Sequence, residues 1–336
     1  MTSIKSSNTV SIYGCGGMGV NLVSELQAIS APDAGFAAMA TCFIDTSRSN
    51  LLAKKVHEDQ VFLFEGIDGS GKVRAMNYED ISKNALAILQ KFKPSALNIV
   101  VHSASGGSGS VIGPVLVSEL KAKGEQVIVI LVGSTDTRTE TENTNKTLKS
   151  YEAIAIKRGS PVVTHYLENS AEFNRTIVNK QAKYAISLLC GLYSGQNEEL
   201  DSADLKNWLD FLRFNGGAPQ LSSLNFSVGE KELDKVGTIA SVATLPLPEM
   251  STRLAHTPAY QTVGFVPEVW RMGVKDSLQM IQDEPIHYAI SSDFITHATG
   301  RLTATLKEVD EAFASRVTRN SILDKNDSTT DTGLVL

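Results

Sequence analysis

The feature that most restricts the fold is a loop made only of serine and glycine, Ser105–Ser110, which joins two apolar segments. The preceding segment, Leu97–His102, has the composition of a buried strand, and Val111–Lys121 has helical spacing. Small residues at such a junction allow successive backbone N–H groups to form a concave nest for phosphate. The alternative is a flexible linker, which would be unusual between a buried strand and an apolar helix of one domain. The loop therefore predicts a phosphate site.

The same order of strand, loop and helix recurs through the first half of the chain. Further strand-like segments lie at Thr9–Tyr13, Ala37–Ile44, Gln126–Val132 and Pro161–Tyr166. Strands that alternate with helices need crossover connections, which produce a mainly parallel sheet with helices on both faces. We therefore expect an α/β fold with a Rossmann-like parallel sheet.

The second half has a different character. Residues 174–194 have the spacing of a long helix, and residues 216–293 contain short strand-like runs separated by prolines. Residues 295–317 have the pattern of an amphipathic helix. This order predicts a long central helix, then a smaller α+β domain, then a C-terminal helix.

Composition narrows the class of protein. The chain has 336 residues and a net charge of −6, which argues against direct binding of nucleic acid through phosphate neutralisation. Its three cysteines, Cys15, Cys42 and Cys190, are widely spaced and odd in number, so we expect neither a disulfide framework nor a metal site. No signal peptide or membrane-spanning segment is evident, and the expected location is cytoplasmic, without membrane contact.

The first glycine loop satisfies G-x-G-x-x-G between a strand and a helix, a context typical of phosphate binding. Its residues are Gly14, Cys15, Gly16, Gly17, Met18 and Gly19. Asp45 ends the second strand, where an acid that binds ribose would lie. Taken alone, these features predict a NAD-dependent oxidoreductase, and a tight turn without a ligand is the other alternative.

A second glycine-rich loop, Glu65–Val73, nearly matches G-x-x-x-x-G-K-[ST]. Val73 replaces the hydroxyl residue that would hold magnesium, and no helix is predicted to start at once. We interpret the loop as a contributor to a phosphate site built mainly elsewhere, or as a flexible surface loop. The contributing residues would be Gly69, Ser70, Gly71 and Lys72.

Two nests at the ends of neighbouring strands suit a nucleoside triphosphate, and their sequences resemble the tubulin/FtsZ superfamily. SGGSGSVIG resembles the family loop G-G-G-[ST]-G-[ST]-G, with Ser105 in place of the first glycine and the last glycine displaced to Gly113. GCGGMGVN resembles G-x-G-G-x-G-x-N, which adds Asn21 to the expected site. The segments KTLKSYEAIA and LDSADLKNWL are most similar to the phage tubulins, the PhuZ family.

This resemblance implies a GTPase that polymerises head-to-tail into filaments and uses GTP/GDP and Mg²⁺. It also implies that the filament positions phage DNA, a replication compartment or capsid-associated machinery in the cytoplasm of an infected bacterium. The implied division is a GTP-binding domain at 1–173, a central helix and catalytic loop at 174–215, an activation domain at 216–294, a C-terminal helix at 295–319 and an assembly tail at 320–336.

The resemblance also assigns roles to single residues. Asn179 matches an asparagine that recognises guanine, and the nest residues Ser105, Gly106, Gly107, Ser108, Gly109 and Ser110 would bind phosphates. Asp201 and Asp204 match a loop inserted into the nucleotide site of the next subunit, where they would position the attacking water. From spacing alone, Asp-x-x-Asp is instead typical of a helix cap, and both roles can coexist. Glu199 stands where many relatives have asparagine.

The tail contains Asp324, Asp327 and Asp331 and ends in Leu-Val-Leu. In phage tubulins an acidic tail docks on the neighbouring subunit, and the preceding helix offers basic targets. Those targets would be Arg301, Lys307, Arg316 and Arg319. A solvated terminus without a partner is the alternative.

Overall fold

A computed structural model describes residues 8–26, 34–52, 56–170, 173–229, 237–271 and 284–317. Ten strands form one sheet in the order β3-β2-β1-β4-β5-β6-β7-β10-β8-β9. Their bounds are β1 Thr9–Cys15, β2 Ala38–Asp45, β3 Val61–Leu63, β4 Leu97–Ser103, β5 Val127–Ser134, β6 Val162–Asn169, β7 Leu221–Val228, β8 Thr238–Leu245, β9 Tyr260–Phe265 and β10 Ile286–Ser291. The first seven strands are mutually parallel, and β10 runs antiparallel to both of its neighbours.

Ten α-helices accompany the sheet within the described ranges. Their bounds are α1 Gly16–Ser24, α2 Arg48–Leu52, α3 Tyr78–Lys91, α4 Gly109–Ala122, α5 Arg138–Arg158, α6 Arg175–Leu192, α7 Ser202–Leu209, α8 Leu212–Asn215, α9 Glu268–Arg271 and α10 Asp293–Val317. None of the helices in these ranges is long and apolar enough to cross a bilayer.

The core consists of two apolar layers, one on each face of the sheet. Val101 of β4 faces α1 and α6, whereas its neighbour Val100 faces α3, α4, α5 and α10. Strands covered on both faces are nearly continuous in apolar residues, as the predicted strands are. All eight residues of β5 are buried. The expected parallel sheet with helices on both faces is confirmed.

Two helices differ from the expectations. The sequence predicted a helix around Leu148–Ile156, but α5 begins ten residues earlier, after the capping residue Thr137, whose hydroxyl accepts a hydrogen bond from Glu140 N. Its first half is polar yet buried, so apolar spacing did not reveal it. Helix α3 was missed, although Ile81, Ala85, Ile88 and Leu89 have helical spacing and are buried.

The second half of the chain extends the same sheet. β7 pairs in parallel with β6, and β10, β8 and β9 follow outward from it. The predicted central helix is α6, and the predicted C-terminal helix is α10. The domain bounds remain a prediction, and residues 318–336, with the acidic tail and Arg319, lie outside the described residues.

Candidate nucleotide-binding site

A cavity of about 460 Å³ lies where the parallel strands end. It is lined by the ends of β1, β4, β5 and β6, by the first turns of α1 and α6, and by the loops that follow β2 and β3. Thirteen predicted site residues line it: Cys15, Gly16, Gly17, Met18, Asn21, Gly69, Ser70, Ser105, Gly106, Gly107, Ser108, Gly109 and Asn179. Ligands bind to open α/β sheets at this edge.

The first glycine loop and the serine–glycine loop touch each other through their backbones. Gly16 has φ +69°, and a Cβ there would lie 2.7 Å from the nitrogen of Gly109. A Cβ on Gly109 would in turn lie 2.8 Å from the carbonyl oxygen of Cys15. Side chains are therefore excluded where the loops meet, and the backbones of both are exposed to one cavity.

Two predicted glycines serve packing and do not line the cavity. A Cβ on Gly19 would lie 2.2 Å from the carbonyl oxygen of Val101, and one on Gly14 would lie 2.7 Å from that of Gly19. These contacts bring α1 close to β4. Gly14 and Gly19 thus set the approach of the helix whose first turn reaches the cavity.

Hydroxyl groups link the serine–glycine loop to its surroundings. The Ser108 hydroxyl hydrogen-bonds with that of Thr46 at 2.5 Å and with that of Ser70 at 3.1 Å. The hydroxyl of Ser110 donates to the carbonyls of Gly106 and Gly107, at 2.6 and 2.9 Å. Ser110 is fully buried and outside the cavity lining, so it shapes the loop from within.

The loop after β3 contributes only part of its predicted set. Gly69 and Ser70 line the cavity, but Gly71 and Lys72 do not. The ammonium group of Lys72 forms an ion pair with Glu140 at 2.7 Å. Burial raises the pKa of Glu140, but the hydrogen bond and charge of Lys72, together with hydrogen bonds from Thr137 and Ser134, outweigh it, and the net pKa is lowered. Glu140 lines the cavity and is therefore held as a carboxylate.

Asp45 does not reach the cavity. Its carboxylate accepts hydrogen bonds from the backbone of Thr46 at 2.7 Å, the backbone of Ser47 at 3.2 Å and the amide of Asn50 at 2.8 Å. Burial raises the pKa of Asp45, and these three hydrogen bonds oppose that rise. The acid therefore organises the loop after β2, while Ser47 and Asn50 themselves line the cavity.

Helix α6 contributes Asn179 and Arg175 to the lining of the cavity, one turn apart. Helix α6 begins after Asn174, whose side chain accepts hydrogen bonds from the backbones of Thr176 and Ile177. Phe173 is 42% exposed and is outside the lining. In the tubulin/FtsZ superfamily an aromatic residue one turn before the asparagine stacks on the base; here Arg175 holds that position and lines the cavity, whereas Phe173 does not.

Eight further lining residues belong to no motif, and seven of them are polar side chains at strand ends, in the loops that follow or in the first turn of a helix. The eight are Ser47, Asn50, Ser103, Val132, Ser134, Asp136, Glu140 and Asn169. Asn169 is notable because its side-chain oxygen is buried without a hydrogen-bond partner. Such an orphaned acceptor fits a ligand that donates a hydrogen bond. Its place at the carboxyl end of β6 was the available signal.

Asp201 and Asp204 form a capping box at the start of α7. The Asp201 carboxylate accepts from the backbones of Ala203 and Asp204, at 2.7 and 2.9 Å, and Asp204 accepts from the Asp201 backbone at 3.1 Å. Asp204 also accepts a 2.7 Å hydrogen bond from the hydroxyl of Tyr260. The capping interpretation is confirmed, and the exposed Asp201 remains accessible.

These acids lie at the opposite edge of the sheet from the cavity. Asp201 lines a separate hollow with Asn8, Ala96 and Gln126, which directly precede β1, β4 and β5. Helix α6 connects the two edges, and its 18 residues span about 27 Å. Asp201 therefore cannot act on a ligand in the cavity of its own subunit.

Metal-binding side chains are not clustered here. In the described part of the chain, no group of three or more His, Cys, Asp or Glu residues could hold a metal ion. Cys15, Cys42 and Cys190 are free and buried, and burial raises the pKa of each thiol.

The parallel sheet, the paired glycine loops at its carboxyl edge and the central helix leading to an acidic loop define a protein of the tubulin/FtsZ fold. No family model matches the chain. It is 34% identical over 328 residues to the phage tubulin-like protein of Pseudomonas phage PhiPA3, covering 97% of this chain and 98% of that protein. The chain belongs to the phage tubulin-like proteins.

Two solved structures agree with this assignment. A protofilament of TubZ from bacteriophage PhiKZ has a TM-score of 0.84 at 27% identity, covering 97% of this chain and 99% of that chain. The phage tubulin PhuZ with GDP has a TM-score of 0.83 at 25% identity, with the same coverage. The expected family and fold are confirmed.

Proposed function

We propose that this protein is a GTPase that assembles head-to-tail and completes its active site between subunits. The observation that carries the proposal is the separation of two half-sites, the nucleotide cavity and the Asp201 hollow, at opposite edges of one sheet. A second copy stacked on the first would bring one edge against the other. The relatives include a protofilament of TubZ and a structure of PhuZ with GDP.

The cavity suits a guanine nucleotide. Asn169 at the end of β6 and Asn179 on the following helix α6 both line it, and a carboxamide can both donate to and accept from the edge of guanine. The unpaired, buried oxygen of Asn169 would accept from the base. Adenine presents the opposite pattern of donor and acceptor at the corresponding positions, so we infer a preference for GTP over ATP.

The glycine loops suit the phosphates. Their touching backbones leave N–H groups and the hydroxyls of Ser70 and Ser108 as the groups that face an anion. A magnesium ion would be held mainly by phosphate oxygens and water, because magnesium keeps several waters and few carboxylates surround it here. Bound there, it would neutralise charge on the β- and γ-phosphates.

Hydrolysis would need the neighbouring subunit. The Asp201 carboxylate of that neighbour, held in a fixed orientation by its two backbone hydrogen bonds, would orient and polarise the attacking water. Asp204 holds the Asp201 backbone and the Tyr260 hydroxyl, so it would fix the loop. A lone subunit would then bind GTP but hydrolyse it slowly.

The alternative of a NAD-dependent oxidoreductase loses its main support. The acid that would bind ribose, Asp45, is bonded to its own loop and lies outside the cavity. For the cellular role we propose that the filament positions phage DNA or a replication compartment in the host cytoplasm, because the relatives are phage proteins.

Thermal stabilisation and light scattering test the function together. GTP and GDP with Mg²⁺ should raise the melting temperature, whereas ATP and NAD should not, since a ligand stabilises the fold that binds it. Scattering should increase with GTP and decline as phosphate is released. Stabilisation by NAD instead of GTP, or no scattering at any concentration of GTP, would contradict the proposal.

A further inference from the structure

The loop after β3 contains a turn, Ser70–Val73, whose first residue, Ser70, lines the nucleotide cavity. The backbone N–H of Val73 donates to the carbonyl of Ser70 at 2.7 Å, and both central residues have positive φ, +52° at Gly71 and +66° at Lys72. This is the backbone pattern of a type I′ turn, which lysine adopts reluctantly. The turn therefore needs contacts from its surroundings to persist.

One side chain supplies such contacts to this turn and to the serine–glycine loop. The amide nitrogen of Asn143 donates to the carbonyl of Lys72 at 2.9 Å and to that of Ser105 at 3.2 Å, with a longer contact of 3.5 Å to Gly106. All three partners are acceptors, so only the NH₂ group of the carboxamide can face them. Asn143 is 6% exposed and does not line the cavity.

Asn143, which holds the turn, and Asn179, at the proposed base site, belong to helices on opposite faces of the sheet. Asn179 belongs to α6, which packs with α1 on one face of the sheet. Asn143 belongs to α5, which packs on the other face. A nucleotide with its base at Asn179 would extend its phosphates past the paired glycine loops towards Ser70, and a triphosphate would extend further than a diphosphate.

We propose that Asn143 is a positioning residue for the terminal phosphate of GTP. It fixes the Ser70–Val73 turn onto the serine–glycine loop, so that the Ser70 hydroxyl and the nest face the same phosphate group. Asn143 acts through these carbonyls and touches no nucleotide atom. This inference rests on the proposed function and adds that discrimination between GTP and GDP depends on a buried amide of α5.

The test compares GTP and GDP affinities of the full-length protein and its variants by calorimetry, with Mg²⁺, below the concentration at which light scattering detects assembly. Asn143→Ala removes the donor, and Asn143→Asp keeps the side-chain size but replaces the NH₂ with an oxygen that faces three carbonyls. The matched control is Asn145→Ala, because Asn145 is on the same helix, is 7% exposed and has a side-chain oxygen without a partner.

We expect both Asn143 variants to lose about tenfold or more in GTP affinity but about threefold or less in GDP affinity. The control should keep the ratio of the two affinities. Hydrogen exchange at the Val73 amide should accelerate in Asn143→Ala while the amides of α5 stay protected.

Equal losses for GTP and GDP, or a ratio matched by Asn145→Ala, would overturn the positioning role. Unfolding of both Asn143 variants under conditions where the control is folded would also overturn it, since Asn143 would then be a structural residue. If the unmodified protein binds neither nucleotide, the proposed function itself fails, and that outcome is distinct from the others.

Discussion

Replacement of Asp201 separates its two roles, because asparagine and alanine remove different properties. Asparagine caps a helix about as well as aspartate, so Asp201→Asn keeps the acceptor for Ala203 and Asp204 but removes the charge. Asp201→Ala removes both the hydrogen-bond acceptor and the negative charge. Loss of the cap costs about 1 kcal/mol, which corresponds to a fall of about 2 °C in melting temperature for a chain of this size.

The position and the proposed role of the Asp201 carboxylate determine the expected changes in GTP affinity and in the rate of GTP hydrolysis. Helix α6, which is about 27 Å long, separates Asp201 from the nucleotide cavity of its own subunit, so neither substitution should change GTP affinity. A carboxylate that activates water contributes about a hundredfold or more to turnover. We therefore expect both variants to hydrolyse GTP about a hundredfold more slowly, and only Asp201→Ala to be less stable.

Phosphate release, sedimentation and nucleotide titration measure these three properties on the same samples. Filaments of either variant should persist after the parental filaments have disassembled. GTPase activity per subunit of the unmodified protein should rise steeply with protein concentration. Parental turnover in Asp201→Asn would refute the catalytic role and leave Asp201 as a cap only, and activity independent of concentration would refute a shared site.

Three further outcomes are expected. Gly107→Val should abolish GTP binding, because a Cβ at Gly107 would lie 1.9 Å from the Ser70 hydroxyl oxygen. The control Gly106→Ala should still bind GTP in the same titration, because a Cβ at Gly106 would have no neighbouring atom closer than 3.8 Å. Glu199→Asn should raise the free energy of unfolding by about 0.5 kcal/mol in guanidinium titration, because Glu199 has φ +59° and asparagine tolerates that region better; a lower midpoint would contradict this. Deleting residues 324–336 should raise the critical concentration in sedimentation without loss of GTP binding, and wild-type assembly should weaken with salt; normal assembly of the truncated chain would return the tail to the solvated alternative.

The sheet and the cavity were largely predictable because they depend on local patterns. Apolar runs followed by glycine placed β1 and β4, and both glycine loops lie at the cavity. The sequence did not reveal which members of each loop face the ligand. Gly14 and Gly19 pack α1 against the sheet, and Ser110 is bonded inside its loop. These assignments depend on long-range contacts that the motif does not specify.

The roles of residues that belong to no sequence motif could not be predicted from the sequence. Asn169 and Asn143 are ordinary polar residues in the sequence, and only the tertiary structure shows one with an unpaired oxygen at the cavity and the other bonded to two loops. Asp45 was predicted at a ribose because it ends a strand. In the structure its carboxylate instead accepts hydrogen bonds from the backbone N–H groups of Thr46 and Ser47. Aspartate side chains commonly form such local hydrogen bonds with the backbone.

The placement of the two half-sites at opposite ends of α6 has a consequence for any stack of subunits. In the proposed head-to-tail stack, each contact would join one cavity to one acidic loop, so a row of n subunits would contain n − 1 complete sites. One end would expose a cavity that no loop covers, and the other would expose an acidic loop without a neighbouring nucleotide. The two ends would therefore be chemically different, and the subunit with the uncovered cavity would hydrolyse its GTP only slowly until the next subunit arrives. Under the proposed function, a short row would therefore hydrolyse less GTP per subunit than a long one.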